Sequence, residues 1–99
     1  LIQVHDAEGN TYEIETGSTV LDFAFLLGNE TGLHFKTAYV NKSKNKTRID
    51  KMLGYDDVVK IISDVSDKAT PKFEWLNIVK TQKAKDVLLE YFSSVLKTR

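Results

Sequence analysis

The feature that most constrains the fold of this chain is a change in the spacing of its apolar residues near position 20. Before that point, apolar residues alternate with polar ones in two short runs, at Ile2, Val4, Tyr12 and Ile14. Alternation with a period of two is typical of half-buried strands, and the runs flank a turn-forming segment at residues 7–10. The first 14 residues therefore predict a β-hairpin.

The spacing then becomes helical. From Leu21, apolar residues recur at intervals of three and four, through Ala24 and Phe25. Thr19 is a good candidate for the N-cap, and Asp22 lies three residues further on, where a carboxylate favours a helix start. We predict a helix over residues 20–29, with a stop at Thr31 and Gly32.

Three further extended segments follow this helix. Ala38 and Val40 alternate with polar residues and predict a third strand, and residues 47–49 predict a short extended piece. Residues 58–62 form the most continuous β-branched run, which is typical of a central strand. The order β-β-α-β-β-β predicts an α+β fold in which one helix crosses a sheet, the ubiquitin-like β-grasp.

The character of the chain changes after Ser63. Residues 64–73 are mostly polar and include the single proline. We predict that Trp75, which follows, is the packing anchor of a short apolar turn. Apolar residues return at helical spacing further on, at Ala84, Val87, Leu88, Tyr91, Phe92 and Val95. We predict a β-grasp domain at 1–63, a linker at 64–73, and a helical extension at 74–99 that begins a further helical region.

Composition excludes several classes of function. The chain has no cysteine, which excludes disulfides, thiolate zinc sites and a cysteine nucleophile. It contains no P-loop, G-x-S-x-G or H-E-x-x-H motif, and two histidines with scattered acids do not make a metal site. No run is long enough for a membrane helix. We therefore expect no catalysis, cofactor, metal or membrane contact, and a cytoplasmic location.

A net charge of zero hides an uneven distribution of charge. Residues 1–35 carry six acids and no lysine or arginine, whereas residues 36–49 carry five basic residues and no acid. Those five are Lys36, Lys42, Lys44, Lys46 and Arg48. This strip is either an anion-binding patch or a solvated, lysine-rich loop. Phe35 and Tyr39 flank its start, which suits single-stranded nucleic acid, although aromatics at this spacing more often belong to a sheet face.

An ordered set of motifs resembles a known family. Residues 17–25 (GSTVLDFAF) are similar to the opening of TGS domains, which are named for threonyl-tRNA synthetase, certain GTPases and SpoT. Residues 32–34 (GLH), 38–41 (AYVN), 57–62 (DVVKII) and 74–77 (EWLN) resemble, in the same order, motifs of the RelA/SpoT group. Asp56 stands where that group commonly has a glycine, and aspartate tolerates the left-handed backbone that such a turn requires.

The resemblance implies a regulatory, non-catalytic segment of a stringent-response enzyme that makes or hydrolyses guanosine tetra- and pentaphosphate. The start at Leu1 is what we expect of a piece of such a longer protein. In ribosome-associated members the domain grips the CCA end of uncharged tRNA. An alternative from the same family is a protein-interaction module that binds acyl carrier protein, or one that relays signals to other domains of the parent enzyme.

The resemblance also implies a role for one histidine. His34 matches the histidine of the family's G-H motif, which contacts the tRNA end, whereas a loop histidine without such support more often has no role. The family's usual arginine and cysteine after this histidine are replaced by Phe35 and Lys36. We predict an RNA-binding set in which the basic residues neutralise phosphates. Its members are His34, Lys36, Lys42, Lys44, Lys46 and Arg48.

Overall fold

A four-stranded mixed sheet forms the body of the protein. The computed structural model describes residues 1–64 and 69–97. The strands are β1 (Ile2–Asp6), β2 (Thr11–Ile14), β3 (Phe35–Val40) and β4 (Val58–Ser63), in the spatial order β2-β1-β4-β3. β1 pairs antiparallel with β2 and parallel with β4, and β3 pairs antiparallel with β4. The predicted α+β class and β-grasp arrangement are confirmed, as is the central position of the strand that begins at Val58.

Within the described residues, four helical segments accompany the sheet. They are α1 (Val20–Leu27), α2 (Asn29–Leu33), a 3₁₀ helix (Phe73–Asn77) and α3 (Gln82–Lys97). α1 begins as predicted, because the Thr19 hydroxyl accepts a hydrogen bond from the Asp22 N–H and the Asp22 carboxylate accepts one from the Thr19 N–H. Within the described ranges, no helix combines the length and the apolar character that crossing a membrane requires.

The predicted end of the first helix is wrong. α1 stops at Leu27, since Gly28 adopts an extended backbone, and the chain then forms the short helix α2 through the positions where a stop was predicted. Gly32 is needed for close packing, because a Cβ atom there would lie 2.3 Å from a ring carbon of Phe25. The glycine that looked like a terminator therefore lets α2 lie directly against a core aromatic.

The predicted fifth strand at residues 47–49 is also not formed. The Thr47 N–H donates to the Ala38 carbonyl at 2.8 Å, so the chain returns to the free edge of β3 for one hydrogen bond and then turns away. An isolated bridge joins Thr19 to Met52 instead. A single bond of this kind does not make a strand, and the sheet ends at β3 on this side.

The left-handed turn that the sequence assigns to Asp56 is present. Asp56 has φ = 60°. Its N–H donates to the Gln3 carbonyl at 2.8 Å and its carboxylate lies 3.1 Å from Nε2 of His5. The turn delivers β4 into the parallel register with β1, in which His5 lies beside Val58.

One hydrophobic core lies between the sheet and the helices. The largest fully buried side chains include Phe23, Phe25, Leu21 and Leu88. Burying a side chain of this size stabilises a fold by roughly 1.5–3 kcal/mol. Leu88 belongs to α3, and α3 also contributes Ala84 and Phe92 to the same core. The C-terminal helix is therefore packed on the β-grasp and shares its interior.

A buried carboxylate fixes the start of α3. Asp22 is 1% exposed, and its carboxylate accepts hydrogen bonds from the N–H groups of Lys80 (2.9 Å) and Thr81 (3.0 Å) and from the Thr81 hydroxyl (3.1 Å). The Thr81 hydroxyl in turn accepts from the Ala84 N–H at 3.3 Å, as an N-cap does. One side chain of α1 thus satisfies the backbone at the entrance to α3.

The predicted linker at 64–73 is described only in part, since residues 65–68 lie outside the described ranges. Pro71, near its end, is buried. Trp75 is 6% exposed and packs edge-to-face on Phe35, with ring centroids 6.2 Å apart. Its predicted role as a packing anchor is confirmed, and Phe35 belongs to the core rather than to an exposed aromatic surface.

Candidate nucleic-acid interface

His34 lies between α2 and β3, where both of its ring nitrogens have partners. Nδ1 is 2.8 Å from the carbonyl oxygen of Ala69, and Nε2 is 3.1 Å from the carboxylate of Glu30. A carbonyl oxygen only accepts, so Nδ1 carries the hydrogen when that bond forms. The His34 side chain is 24% exposed. A ligand that takes either nitrogen must displace one of these two partners.

The backbone of His34 is tied to the same neighbourhood. Its N–H donates to the Glu30 carbonyl at 3.0 Å, and its carbonyl accepts from the Asp64 N–H at 3.0 Å. Asp64 and Ala69 lie on either side of residues 65–68 in the chain. His34 therefore contacts the two residues that flank 65–68, near the start of the connection from β4 to α3.

Four of the predicted basic residues meet on the face of the sheet that points away from the helices. They border a concave surface of about 720 Å³, which we call the lysine groove. Its lining consists of Ala7, Lys36, Thr37, Tyr39, Lys42, Ser43, Lys44, Lys46, Val58, Lys60 and Ile62. Five of these residues are lysines and none is acidic. Its volume is within the range of small-molecule sites.

The strand register explains the floor of the groove. Tyr39 lies directly opposite Lys60, and Thr37 lies opposite Ile62, on one face of the β3–β4 pair. Their chain neighbours, such as Ala38 and Val59, are buried on the other face. Because successive residues of a strand point to opposite faces, the core side and the lysine side are fixed together.

A strained turn carries the chain from the floor of the groove to its rim. Asn41 and Lys42 have φ values of 55° and 62°, and the Ser43 N–H donates to the Val40 carbonyl at 3.2 Å. Positive φ at both central residues is the pattern of a type I′ turn. A lysine in the left-handed region costs roughly 1–2 kcal/mol, which the surrounding structure must offset.

Asn41 supplies that support. Its side-chain amide nitrogen donates to the Asp57 carboxylate at 3.0 Å, and its side-chain oxygen, Oδ1, accepts from the Val58 N–H at 2.9 Å. Its own N–H donates to the Val58 carbonyl at 2.7 Å. These bonds hold the end of β3 against the start of β4 and so fix the backbone position from which Lys42 extends.

Arg48 does not join the lysine groove. Its Nε and one terminal nitrogen donate to the two Asp50 carboxylate oxygens at 2.9 and 3.1 Å. These hydrogen bonds hold the pKa of Asp50 below its ordinary value and raise that of Arg48. The pair lies along a second groove, beside Trp75 and Ala69, and Asp50 offsets the charge of Arg48 there. Lys36 lines both grooves and lies 3.9 Å from Asp64.

Sequence reasoning missed Lys60. The run at 58–62 reads as a strand buried on both sides, which hides the one charged residue within it. The available signal was that Lys60 directly follows Val59. Successive residues of a strand point to opposite faces, so if Val59 is buried, Lys60 lies on the outer face. The structure thus adds Lys60 to Lys36, Lys42, Lys44 and Lys46, and places His34 and Arg48 elsewhere.

Comparison with known proteins identifies the fold family. The TGS domain family matches residues 4–63, more than half of the chain. The chain belongs to the TGS family. The resemblance found in the sequence motifs is therefore confirmed.

Relatives and a solved structure agree with this assignment. The TGS chain is 30% identical over 91 residues to a probable guanosine-3′,5′-bis(diphosphate) 3′-pyrophosphohydrolase of Synechocystis, covering 92% of this chain and 11% of that protein. It is 29% identical over 92 residues to the guanosine-3′,5′-bis(diphosphate) 3′-pyrophosphohydrolase of Borreliella burgdorferi, covering 93% of this chain and 13% of that protein. The chain therefore spans about a tenth of the length of these relatives. A GTP binding protein from Pyrococcus horikoshii has a TM-score of 0.60 at 28% identity, covering 65% of this chain and 21% of that one.

Proposed function

We propose that this TGS domain is a regulatory, non-catalytic part of a stringent-response enzyme that makes or hydrolyses guanosine tetra- and pentaphosphate. We propose further that it senses the CCA end of uncharged tRNA. The names of the two relatives support the first statement. The observation that carries the second is the lysine groove, whose lining in the described part of the chain includes five lysines and no acidic residue. Such a surface attracts a phosphate backbone and releases counterions on binding.

His34 has a distinct part in this proposal. It lies at the start of β3, and the turn at Lys42 lies at the end, so the six residues of β3, about 20 Å in length, separate the two features. The terminal nucleotides would displace Ala69 or Glu30 as the partner of a His34 ring nitrogen. The lysines would bind phosphates further along the strand. Stacking on histidine and hydrogen bonding to unpaired bases are common in RNA recognition.

The test is a titration of the 99-residue chain with deacylated tRNA and with the matching aminoacyl-tRNA. We expect deacylated tRNA to bind more tightly, because an aminoacyl group fills the position of the free terminal hydroxyl. His34→Ala should remove that preference. The control is His5→Ala, which deletes the same ring from β1, where it contacts Thr11 and Asp56. The proposal is wrong if binding is indifferent to both aminoacylation and His34.

An acidic protein partner is the alternative, and acyl carrier protein is the specific candidate. The charge of the lysine groove favours it equally, since an acidic surface is complementary to five lysines. Including acyl carrier protein as a competitor in the same titration separates the two. Displacement of tRNA would place both on one surface, whereas binding of acyl carrier protein alone would replace the tRNA proposal.

The helical segment 74–99 is proposed to begin a further helical region that contacts other domains of the parent enzyme. Leu89 and Leu96 support this, because they are 53% and 59% exposed on α3 although the helix packs its other face on the core. Hydrogen exchange measured on the chain alone and on the parent protein tests it. Slower exchange around these two leucines in the parent is expected, and unchanged exchange would contradict the proposal.

A further inference from the structure

Within the lysine groove, the arrangement of Tyr39 and Lys60 indicates more than a general attraction for anions. The two residues are directly opposite each other in the β3–β4 register. Tyr39 is half-buried and Lys60 is exposed, so an aromatic side chain and a lysine side chain line the same open surface from opposed strand positions. A solvated lysine loop needs no such pair.

Apolar side chains complete this part of the surface. Ile62 and Val58 lie on the same face of β4 as Lys60, two residues to either side of it along the strand. Both are only partly buried, although isoleucine and valine gain most when fully covered. The floor of the groove is therefore apolar and aromatic, while its rim is cationic.

The rim is held in place by the turn described above. Lys42 occupies a left-handed backbone position, and Asn41 anchors the turn to Asp57 and Val58. Non-glycine residues held in such positions cluster at binding and catalytic sites, where the surrounding structure over-determines them. Lys44 and Lys46 follow and line the same cavity.

We propose that the lysine groove is a binding site for one nucleotide unit, separate from His34. The base lies on Tyr39, between Ile62 and Val58, and its phosphates contact Lys60 and the lysines of the 42–46 turn. Base–aromatic stacking tolerates any base, so the site selects a planar ring that bears phosphate. The nucleotide is either free or part of an RNA strand. Only in the second case does the site rest on the proposed tRNA function.

The experiment measures binding of three probes to the 99-residue chain by calorimetry. GTP represents a free nucleotide, a single-stranded ACCA oligonucleotide represents RNA, and inorganic triphosphate carries charge without a ring. We expect GTP or the oligonucleotide to saturate the chain at one site, and triphosphate to bind at least about fivefold more weakly than the better of the two, since stacking is absent. The probe that binds identifies the source of the nucleotide.

Matched variants separate ring from charge. Tyr39→Phe keeps the ring and should bind within about twofold of the unmodified chain, whereas Tyr39→Leu should weaken binding about fivefold or more. Lys60→Gln should weaken binding and reduce, by about one, the slope of the logarithm of the binding constant against the logarithm of the salt concentration. Lys83→Gln, on the exposed side of α3, should change neither. The thermal midpoint of each variant shows that it is folded.

Three results would overturn the proposal. They are no saturable binding of either nucleotide probe, triphosphate that binds as tightly as GTP or the oligonucleotide, and equal losses for Lys83→Gln and Lys60→Gln. Failure of the tRNA proposal looks different, since it appears as indifference to aminoacylation and to His34. Neither of those readouts involves Tyr39 or Lys60.

Discussion

The carboxylate of Asp22 accepts hydrogen bonds from both the backbone N–H and the hydroxyl of Thr81, a residue 59 positions later in the chain. Asp22 is also the N3 residue of α1, where it accepts from the Thr19 N–H at 2.8 Å. One buried charge therefore stabilises the starts of two helices that are far apart in sequence.

Replacing this carboxylate should be costly. Asp22→Ala leaves the N–H groups of Lys80 and Thr81 without their acceptor in a partly buried place, and each lost bond to a charged group costs about 1.5–3 kcal/mol. We expect the free energy of unfolding to fall by about 3 kcal/mol or more, measured by urea denaturation. Asp86→Ala is the control, since Asp86 is exposed and accepts a hydrogen bond from Gln82 on the same helix. A similar small loss for both variants would contradict the role of Asp22.

The contact between Gly32 and Phe25 gives a second prediction. Gly32→Ala places a methyl group where the ring of Phe25 already lies, so either α2 or the ring must move. We expect a loss of about 1–3 kcal/mol in unfolding free energy, the usual cost of overpacking. Gly54→Ala is the matched control, because its new Cβ would be 3.7 Å from the nearest Asp57 oxygen. Equal midpoints for the two variants would show that Gly32 is not tightly packed.

The strained lysine in the groove gives a third prediction, of opposite sign. Lys42→Gly removes a left-handed penalty of about 1–2 kcal/mol, and the extra freedom of glycine in the unfolded chain returns about 0.5–1 kcal/mol of it. The variant should thus be slightly more stable. Lys44→Gly should be neutral or destabilising, since Lys44 is not among the residues with positive φ. Denaturation curves of both variants test this, and greater stabilisation by Lys44→Gly would refute it.

The first hairpin predicts a pH dependence. A hydrogen bond from the Asn10 side-chain amide, together with bonds from the Asn10 N–H and the Tyr12 hydroxyl, holds the pKa of Asp6 below its ordinary value of 3.8. A carboxyl group with a lowered pKa in the folded state stabilises the fold above its unfolded pKa. It loses that contribution as the pH falls through the folded value.

Asp6→Asn should therefore be less stable than the unmodified chain at neutral pH, and the difference should shrink as the pH falls below 3.8. Glu8→Gln is the control, an exposed carboxylate in the same turn. Unfolding free energies measured across the acid range decide the matter. A difference between the Asp6 variant and the unmodified chain that stays constant with pH would contradict the assignment.

Local signals predicted the elements that depend on local chemistry. The hairpin followed from alternation around a turn, and the start of α1 followed from Thr19 and Asp22, which are close in sequence. The β-branched run at 58–62 was correctly placed at the centre of the sheet. In each case neighbouring residues alone contained the deciding interactions.

The rest depended on contacts between distant residues. Gly32 looked like a helix stop because its approach to Phe25 is a packing relationship that no local pattern encodes. Arg48 is the exception, because Asp50, the partner of its guanidinium, is only two residues away in sequence, just beyond the strip at residues 36–49. Lys60 entered the groove only once β4 was paired with β3 and its outer face was identified.

The link from Asp22 to Thr81 also bears on how the protein folds as it is made. The amino-terminal hairpin is complete within 14 residues, but β1 pairs with β4 only after residue 58, and Asp22 finds its last partners only at residue 81. Pairing between distant segments is slow because the intervening loop must close first. In a nascent chain whose sheet has formed but whose residues 80 and 81 have not yet reached α1, the Asp22 carboxylate still lacks the donors of Lys80 and Thr81. The segment that leads into the C-terminal helix therefore supplies hydrogen bonds that the sheet and α1 do not supply by themselves.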